Sequence, residues 1–569
     1  MNYYALATDY DGTLAKHGKV DQQTIDALQR FKSTGRKLVL VTGRELDELL
    51  EVFPETDIFD VVVAENGALL YYPASKEEKK LGDSPSELFV LELENRGVER
   101  ISVGRVIVAT WRPFETKVLE VIRDLGLEYQ VIFNKDAVMV LPSGINKATG
   151  LKSALQTIGL SPHNVVAIGD AENDHAFLKL CEFSASVDNA LPMLKESSDL
   201  VMKGSHGTGV RELIDMVISN DLAGFDQFFR RNKIVLGYDT AGAEVVLSPL
   251  NENLILTGTS GAGKSTFAAS FMERLIEQEY QFCIIDPEGD YETFEGGILI
   301  GNNKRAPDIS EIMGILEKPD RNCVISLLGI ALEHRPAFFE TLLPPLLELK
   351  QRTGRPHWII IDETHHLLPF ERENMILPMP DDINGIMLIT VHPEHISRQA
   401  LALMDAAVAI GESPGRTLAR YSQQAGLKPP DIKEERLEPG EAILWKNSYA
   451  RGYVRFNTIP SKSERKRHVR KYTEGTLPEE RSFYFRGAER KLNLRAQNLQ
   501  IFIQMAEGVD DQTWQFHLKN HDYSNWFSEM IKDPELGQEA RDIEDQSGLS
   551  ASESRQQIKR IIEKRYIPA

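Results

Sequence analysis

Two successive series of short apolar runs, each interleaved with helix-length stretches, constrain this chain more than any other feature. The first series, from Tyr3 to about Asn220, contains YALATD, KLVLVT, VVVAE, VVAIG, SASV and DLVM. Apolar, β-rich runs alternating with amphipathic stretches predict a parallel sheet wrapped by helices. The second series starts at Ile234 with NLILTGT, FCIIDPE, NCVISLL, HWIIIDE and GIMLITVH, and closes near Asn457. It predicts a second α/β core with buried strands. A 569-residue chain exceeds one hydrophobic core, and at ~100–200 residues per domain three or four units are expected.

The first series is broken between Tyr71 and Leu141 by a mixed α/β segment, which predicts a cap at about 71–141 inserted into a domain spanning 1–220. DLAGFDQFFRRNK reads as a connecting helix over 221–232, followed by the second domain at 233–457. Residues 458–569 combine a basic linker with helical periodicity at Leu499, Phe502, Ile503 and Ala506 and at Ile558, Ile561 and Ile562, which predicts a small, mostly helical domain. Trp514, Phe516, Trp526 and Phe527 lie at helical spacing and read as core rather than as a base-stacking platform. His517 and His521, four apart, are expected on one helix face with no third ligand, so no metal site is read there.

Hydrophobic residues make up 42% and charged residues 26%, and no run of ~18 apolar residues is present to span a bilayer. The opening MNYYALATDYDGTL lacks the basic and apolar regions of a secretory signal, so a cytoplasmic location without membrane contact is expected. Cys181, Cys283 and Cys323 are widely spaced in apolar settings, which favours buried thiols over disulfides or a zinc cluster. With 65 basic against 85 acidic side chains the net charge is −20, so the whole molecule repels polyanions and nucleic-acid contact must be local. Lys462 to Lys471 is the one basic candidate.

Asp9 and Asp11 stand two apart at a strand end, where extended backbone aims both one way and Gly12 and Thr13 turn the chain aside. Such a pair suits a cation, with one carboxylate ionised as nucleophile and its neighbour carrying a proton. The stretch DYDGTLAKHGKV lacks the later acidic ligands of a calcium loop. Thr42-Gly43-Arg44 ends the next strand, Lys147 opens a later helix, and GDAENDHAFL brings Asp170, Asn173 and Asp174 to a further strand end. In an open parallel sheet these carboxyl ends face one crevice, where a hydroxyl, an ammonium and four carboxylates can surround a phosphate.

DYDGTL, TGR, the lone lysine, GDAEND and AENGA at Ala64 to Ala68 resemble, in order, the haloacid dehalogenase superfamily and its Cof-like phosphatases, over about Met1 to Asn220. That resemblance implies a Rossmann-like core with an α/β cap. It also implies that Asp9 attacks phosphorus, Asp11 acts as acid and base, and Thr42 and Lys147 hold phosphoryl oxygens. Mg²⁺ would be bound at Asp9, Asp11, Asp170 and Asp174, with Asn173 completing the shell. Arg44 is a secondary substrate contact.

In the second series GTSGAGKST follows a buried strand and precedes an amphipathic helix, the context of a phosphate-binding loop. Gly258, Ser260, Gly261 and Gly263 let backbone N–H groups converge on phosphates, Lys264 adds charge, and Ser265 offers a hydroxyl to Mg²⁺ beside Thr266. HWIIIDE ends in Asp362, a second Mg²⁺ ligand, and Glu363, which can polarise a water; GIMLITVH delivers Thr390 and His392 as sensors of the terminal phosphate. Together with IIDPEGDY and DETHHLLP these residues resemble the HerA branch of the HerA/FtsK ATPases over about Lys233 to Asn457. The resemblance implies a RecA-like domain that binds ATP, a hexameric ring of identical subunits, DNA as partner, and an arginine supplied in trans, for which Arg416 and Arg420 are the candidates. Two departures stand out: the phosphatase takes the place of the relatives' β-barrel, and His392 stands where they often carry glutamine.

The reading is therefore a bifunctional Mg²⁺-dependent phosphatase and ring-forming ATPase acting on nucleotide or nucleic-acid phosphates. One alternative is a DNA-translocating motor or anti-phage defence ATPase with the phosphatase fold as effector. Another is an ATP-regulated metabolic phosphatase for a sugar or glycolate phosphate.

Overall fold

A computed structural model describes residues 2–566 apart from 135, 224, 226–232, 371–382, 433–435, 447–451, 463–471, 474–476, 478–481, 488–491, 532 and 547. The basic run after Lys462 lies outside the described residues, and so does the expected connecting helix apart from 221–223 and 225, of which 221–223 form a turn. The chain divides into two compact units, Met1–Ile459 and Pro460–Ala569.

The first α/β domain is built on β1 (Ala5–Asp9), β2 (Lys37–Val41), β3 (Val61–Ala64), β4 (Leu69–Tyr72) and β5 (Glu77–Lys80). A separate antiparallel sheet follows, from β6 (Ser102–Val103), β7 (Val108–Trp111), β8 (Tyr129–Asn134) and β9 (Ala137–Pro142). The chain then returns through β10 (Val165–Gly169), β11 (Phe183–Ser186) and β12 (Leu200–Val201), giving the main sheet the order β12-β11-β10-β1-β2-β3-β4-β5. Its first six strands are parallel, and β4 and β5 add an antiparallel edge. The residues from Tyr71, expected to open the cap, thus still belong to the core sheet. The cap proper is β6 to β9 with the helices Glu87–Asn95 and Glu115–Asp124, closed on its own core of Phe89, Leu93, Val118 and Val121.

The second α/β domain contains β13 (Ile234–Asp239), β14 (Glu244–Leu247), β15 (Leu254–Gly258), β16 (Phe282–Asp286), β17 (Ile298–Ile300), β18 (Cys323–Ser326), β19 (Trp358–Ile361), β20 (Ile386–Thr390), β21 (Ala406–Ile410), β22 (Glu441–Lys446) and β23 (Tyr453–Thr458). They form one sheet in the order β14-β13-β23-β22-β21-β15-β20-β19-β16-β18-β17, parallel from β21 to β17. Its central strands are wholly buried on both faces, as continuous apolar runs require.

These two domains meet at the amino ends of their strands. Tyr4, just before β1, donates from its hydroxyl to Lys350 O at 3.0 Å. His163, before β10, stacks on Tyr280, before β16, with ring centroids 3.7 Å apart, and its Nε2 lies 2.6 Å from Gln278 O. The Tyr280 hydroxyl donates to Glu182 Oε2 at 2.9 Å. Arg355, fully buried, donates to Gly159 O at 2.6 Å, Gln281 Oε1 at 2.8 Å and Leu316 O at 3.0 Å. Burial draws its pKa down to about 10. The candidate site residues follow the other, carboxyl ends of these strands.

The second unit pairs the antiparallel strands β24 (Phe483–Phe485) and β25 (Leu494–Ala496) with, among the described residues, five helices from Leu499 to Tyr566. Trp514, Trp526 and Phe527 are buried in its core with Phe502 and Tyr523, the role their spacing predicts; Phe516 is only half-buried. His521 departs from expectation: at φ 55° it stands between the helices Asp511–Lys519 and Asp522–Glu529, so it shares no helix face with His517. His517 accepts from Arg486 N and faces Asp522, whereas His521 faces Glu544. Among the described residues no helix is long and apolar enough to cross a membrane.

Arg355→Met is expected to destabilise the joint by about 3 kcal/mol, because each buried acceptor stripped of its donor costs ~1–3 kcal/mol. Urea unfolding measures this, with both α/β domains of the variant losing structure at lower urea.

Candidate functional site

The parallel order β10-β1-β2 places three strand ends side by side, and each carries a polar residue. Asp9 closes β1, Thr42 follows β2 and Asp170 follows β10; all three are buried. The helix Lys147–Thr157 opens with Asn146 as a capping box, which fixes Lys147 at its first position. Gly150 lets this helix close on the Gly67 backbone, since a Cβ there would lie 2.6 Å from Gly67 Cα. Lys147 Nζ then reaches Asp9 Oδ1 and Asp174 Oδ1, each at 2.6 Å. The other oxygen of Asp174 accepts Asp170 N and Ala171 N at 2.9 Å, and Thr13 Oγ1 donates to Asp170 Oδ1 at 3.1 Å.

One ammonium bridges two of three clustered buried carboxylates. Burial, then the Asp174 charge, pushes the Asp9 carboxyl well above its usual range, against the pull of Lys147. Burial also opposes the Lys147 ammonium, but Asp174 and Asp9 overcome it and hold the amine above its ordinary value. Asp9, Asp170 and Asp174 present oxygens within 4.8 Å of one another. Beside them Asn173 Oδ1 is buried without a hydrogen bond. Hard oxygen donors with excess negative charge fit Mg²⁺.

Asp11 is brought to this crevice but not to the carboxylate group. Its two oxygens lie on Arg44, which donates from Nε at 2.6 Å and Nη2 at 2.8 Å. Arg44 also pairs with Glu48, lies over the Tyr10 ring, and stands two residues from Thr42, whose Oγ1 accepts Arg44 N at 3.1 Å. The metal role expected of the Asp11 side chain is therefore not what this geometry provides.

The cap closes over the crevice. Glu65, fully buried at φ 51°, accepts Arg105 N and Val106 N at 2.8 Å and Ile107 N at 3.0 Å. Arg105 bridges to Asp47 and Glu78 on the core side. Strand β8 packs against the turn Glu172–Asp174, and Asn66 Oδ1 accepts Asn173 Nδ2 at 3.1 Å.

In the second domain the loop after β15 turns through Gly261 (φ 75°) and Gly263 (φ 98°), carrying Ser260 between Gly258 and the helix Lys264–Glu277, in which Ser265 and Thr266 fill the first turn. Lys264 Nζ folds back to Gly258 O and Thr259 O, both at 3.2 Å. Burial lowers its pKa, against the nearby Glu363 and Asp362. Asp362 follows β19 almost fully buried, and burial drives its carboxyl well above the usual range. Burial likewise raises Glu363. Strand β20 lies between β15 and β19, so Thr390 arrives between the loop and the acid pair. His392 is half-exposed beside Glu394, which also lies 3.4 Å from Arg420 Nη1; Arg416 and Arg420 are exposed on the helix Pro414–Ala425.

Several residues joined here escape sequence reasoning. Ser265 Oγ donates to Asp290 Oδ2 at 2.8 Å rather than to Asp362. Asp286 ends β16, accepts Gly289 N, Asp290 N and Tyr291 N, and is raised by burial to about 6. His365 Nδ1 lies 3.2 Å from Thr390 Oγ1 and 3.4 Å from Glu363 Oε2. Burial and the neighbouring histidines bring His365 down to about 4, so it is neutral at pH 7. The motif IIDPEGDY holds the only signal for Asp286 and Asp290, and DETHHLLP the only one for His365.

Residues 6–85 and 120–214 match the family described as haloacid dehalogenase-like hydrolase. The chain is 32% identical over 219 residues to a phosphoglycolate phosphatase of Methanothermobacter thermautotrophicus, covering 37% of this chain and 96% of that protein. The chain belongs to the haloacid dehalogenase-like hydrolases. A second relative, phosphoglycolate phosphatase 2 of Saccharolobus solfataricus, is 28% identical over 228 residues, 39% of this chain and 94% of its own. Among solved structures, a haloacid dehalogenase-like hydrolase from Bacteroides thetaiotaomicron aligns at 20% identity and a TM-score of 0.33, covering 38% of this chain and 99% of that one. Behind this hydrolase domain, residues 241–344 match the family described as helicase HerA, central domain. The chain is thus a hydrolase in which a haloacid dehalogenase-like phosphatase domain is fused to a HerA-family P-loop ATPase domain.

Gly12 tests the first site of this hydrolase sharply. A Cβ there would lie 2.3 Å from Asp170 Oδ2, and the residue sits at φ +89°. Gly12→Ala is expected to lower phosphatase kcat by about 100-fold through displacement of Asp170, since small misplacements of a catalytic group cost this much. Steady-state phosphate release, beside an unchanged circular-dichroism spectrum, measures it.

Proposed function

We propose that the first domain is a Mg²⁺-dependent phosphomonoesterase working through an aspartyl-phosphate on Asp9, and that the second hydrolyses ATP. The observation that carries the first part is the buried Lys147 ammonium shared by Asp9 and Asp174 beside Asp170. In this reading an Asp9 oxygen attacks phosphorus while the bond to the ester oxygen breaks, and Asp11 gives that oxygen a proton. A water then attacks the phosphoryl group, Asp11 takes its proton, and Asp9 is released with inorganic phosphate. Thr42 and Lys147 hold the phosphoryl oxygens at the amino end of the Lys147–Thr157 helix, where backbone N–H groups favour an anion. Mg²⁺ held by Asp9, Asp170 and Asp174 would supply charge neutralisation at the phosphoryl group.

The substrate is a small phosphorylated acid of the phosphoglycolate kind. Two phosphoglycolate phosphatases matched over 94% and 96% of their lengths support this choice over nucleotide or nucleic-acid phosphates. In the ATPase, Lys264 and the loop N–H groups would take the phosphates, Ser265 and Asp362 would hold Mg²⁺, which would supply charge neutralisation there, Glu363 would polarise water, and Thr390 with His392 would sense the terminal phosphate. The exposed positions of Arg416 and Arg420 suit presentation to a neighbouring subunit of a hexameric ring. The match to the helicase HerA central domain supports a second reading in which that ring moves DNA.

The test separates the two sites. Asp9→Asn is expected to cut Mg²⁺-dependent phosphate release from phosphoglycolate by at least about 1,000-fold while ATP turnover persists, and Lys264→Ala is expected to do the reverse. Phosphoglycolate hydrolysis that survives Asp9→Asn overturns the proposal.

A further inference from the structure

Building on the phosphatase reading above, we infer that Arg44 is the specificity determinant for a carboxylate on the leaving group, and that this carboxylate displaces Asp11 from it. The acid–base candidate is parked. Both Asp11 oxygens are held by one guanidinium, from Nε at 2.6 Å and Nη2 at 2.8 Å, in the two-point geometry that a planar guanidinium offers any carboxylate. In that state Asp11 has no oxygen turned to the Asp9–Asp170–Asp174 group, which gathers without it.

Arg44 itself is firmly placed. Its backbone N donates to Thr42 Oγ1 at 3.1 Å and its backbone O accepts Glu65 N at 2.9 Å, so the phosphate-binding turn and the Glu65–Gly67 turn that holds the cap both fix it. Glu48 pairs with its Nη1 and Tyr10 lies against its flat face, with the ring centroid 5.5 Å from Cζ. The guanidinium is one-fifth exposed, and Asp11 is more exposed, at 38%. Asp11 is thus the more accessible member of the pair, and Arg44 the one tied to its surroundings by further contacts.

Any leaving oxygen that Asp11 protonates must lie next to Asp11, and hence next to the guanidinium that holds it. In phosphoglycolate the carboxylate carbon is only two bonds from the ester oxygen. Its two oxygens offer Arg44 the same two-point acceptor as Asp11 does, and exchange of one carboxylate for the other keeps the arginine satisfied. The displaced Asp11 then turns toward the ester oxygen. A phosphate ester of the same size without the carboxylate has nothing to offer in exchange and meets Asp11 still bound. The device couples recognition of the acid group to release of the proton carrier, so selectivity is written into the chemical step as well as into binding.

The experiment compares phosphoglycolate with ethyl phosphate on the full-length chain with Mg²⁺, in the wild type, Arg44→Ala and Arg44→Lys. The wild type is expected to favour phosphoglycolate by at least about tenfold in kcat/KM, and Arg44→Ala to bring that ratio close to one, by raising KM for phosphoglycolate and by raising kcat for ethyl phosphate, for which Asp11 is no longer held by the guanidinium. Arg44→Lys, which keeps charge but loses the two-point fork, is expected to fall between them. Equal losses on both esters in Arg44→Ala would show that Arg44 only orders Asp11, and would overturn the inference. Wild-type hydrolysis of both esters without preference overturns it too, while leaving the phosphatase reading intact; wild-type hydrolysis of neither overturns both.

Discussion

A buried lysine that must serve two carboxylates at once is the constraint on which the phosphatase domain is built. Lys147 can satisfy Asp9 and Asp174 together only if the helix it opens is seated against the Glu65–Gly67 turn, and the close approach of Gly150 to Gly67 allows that seating. Removing one partner from a buried ion pair typically costs ~3–5 kcal/mol, so the triangle of Lys147, Asp9 and Asp174 ties three distant segments into one geometry. Asp174 in turn takes two backbone N–H groups at the start of the Asp170 loop, which passes the constraint on to the metal-binding corner.

The same economy of polar groups governs the rest of the first unit. Both α/β domains spend their strand carboxyl ends on chemistry and their strand amino ends on each other. The joint holds Arg355, His163, Glu182 and Tyr280 in a network in which each of these four side chains makes at least one hydrogen bond across the domains.

Much of this was legible in the residues. Asp9, Thr42, Asp170 and Lys147 each mark the end of an apolar run or the start of a helix, and parallel pairing brings such ends together without further instruction. The phosphate-binding loop is equally local. What escaped notice is non-local: the β4–β5 hairpin joins the core sheet because β3 leaves an edge for it, and neither strand signals its partner. Asp290 meets Ser265 only because β16 places its following loop beside the Lys264 helix. Arg44 reads from the sequence only as a secondary substrate contact, and its two-point hold on Asp11 depends on residues 33 positions apart. His521 sits four residues from His517, yet a left-handed break between two helices separates them, and no spacing rule detects that.

The central claim is that Asp9 carries the phosphoryl group covalently. Rapid acid quenching of the wild type during turnover of phosphoglycolate, followed by mass spectrometry of the peptide containing Asp9, tests it directly. The account predicts a hydroxylamine-labile phosphoryl adduct on Asp9. An adduct on any other residue, or rapid turnover with no adduct under conditions that trap it, would contradict it.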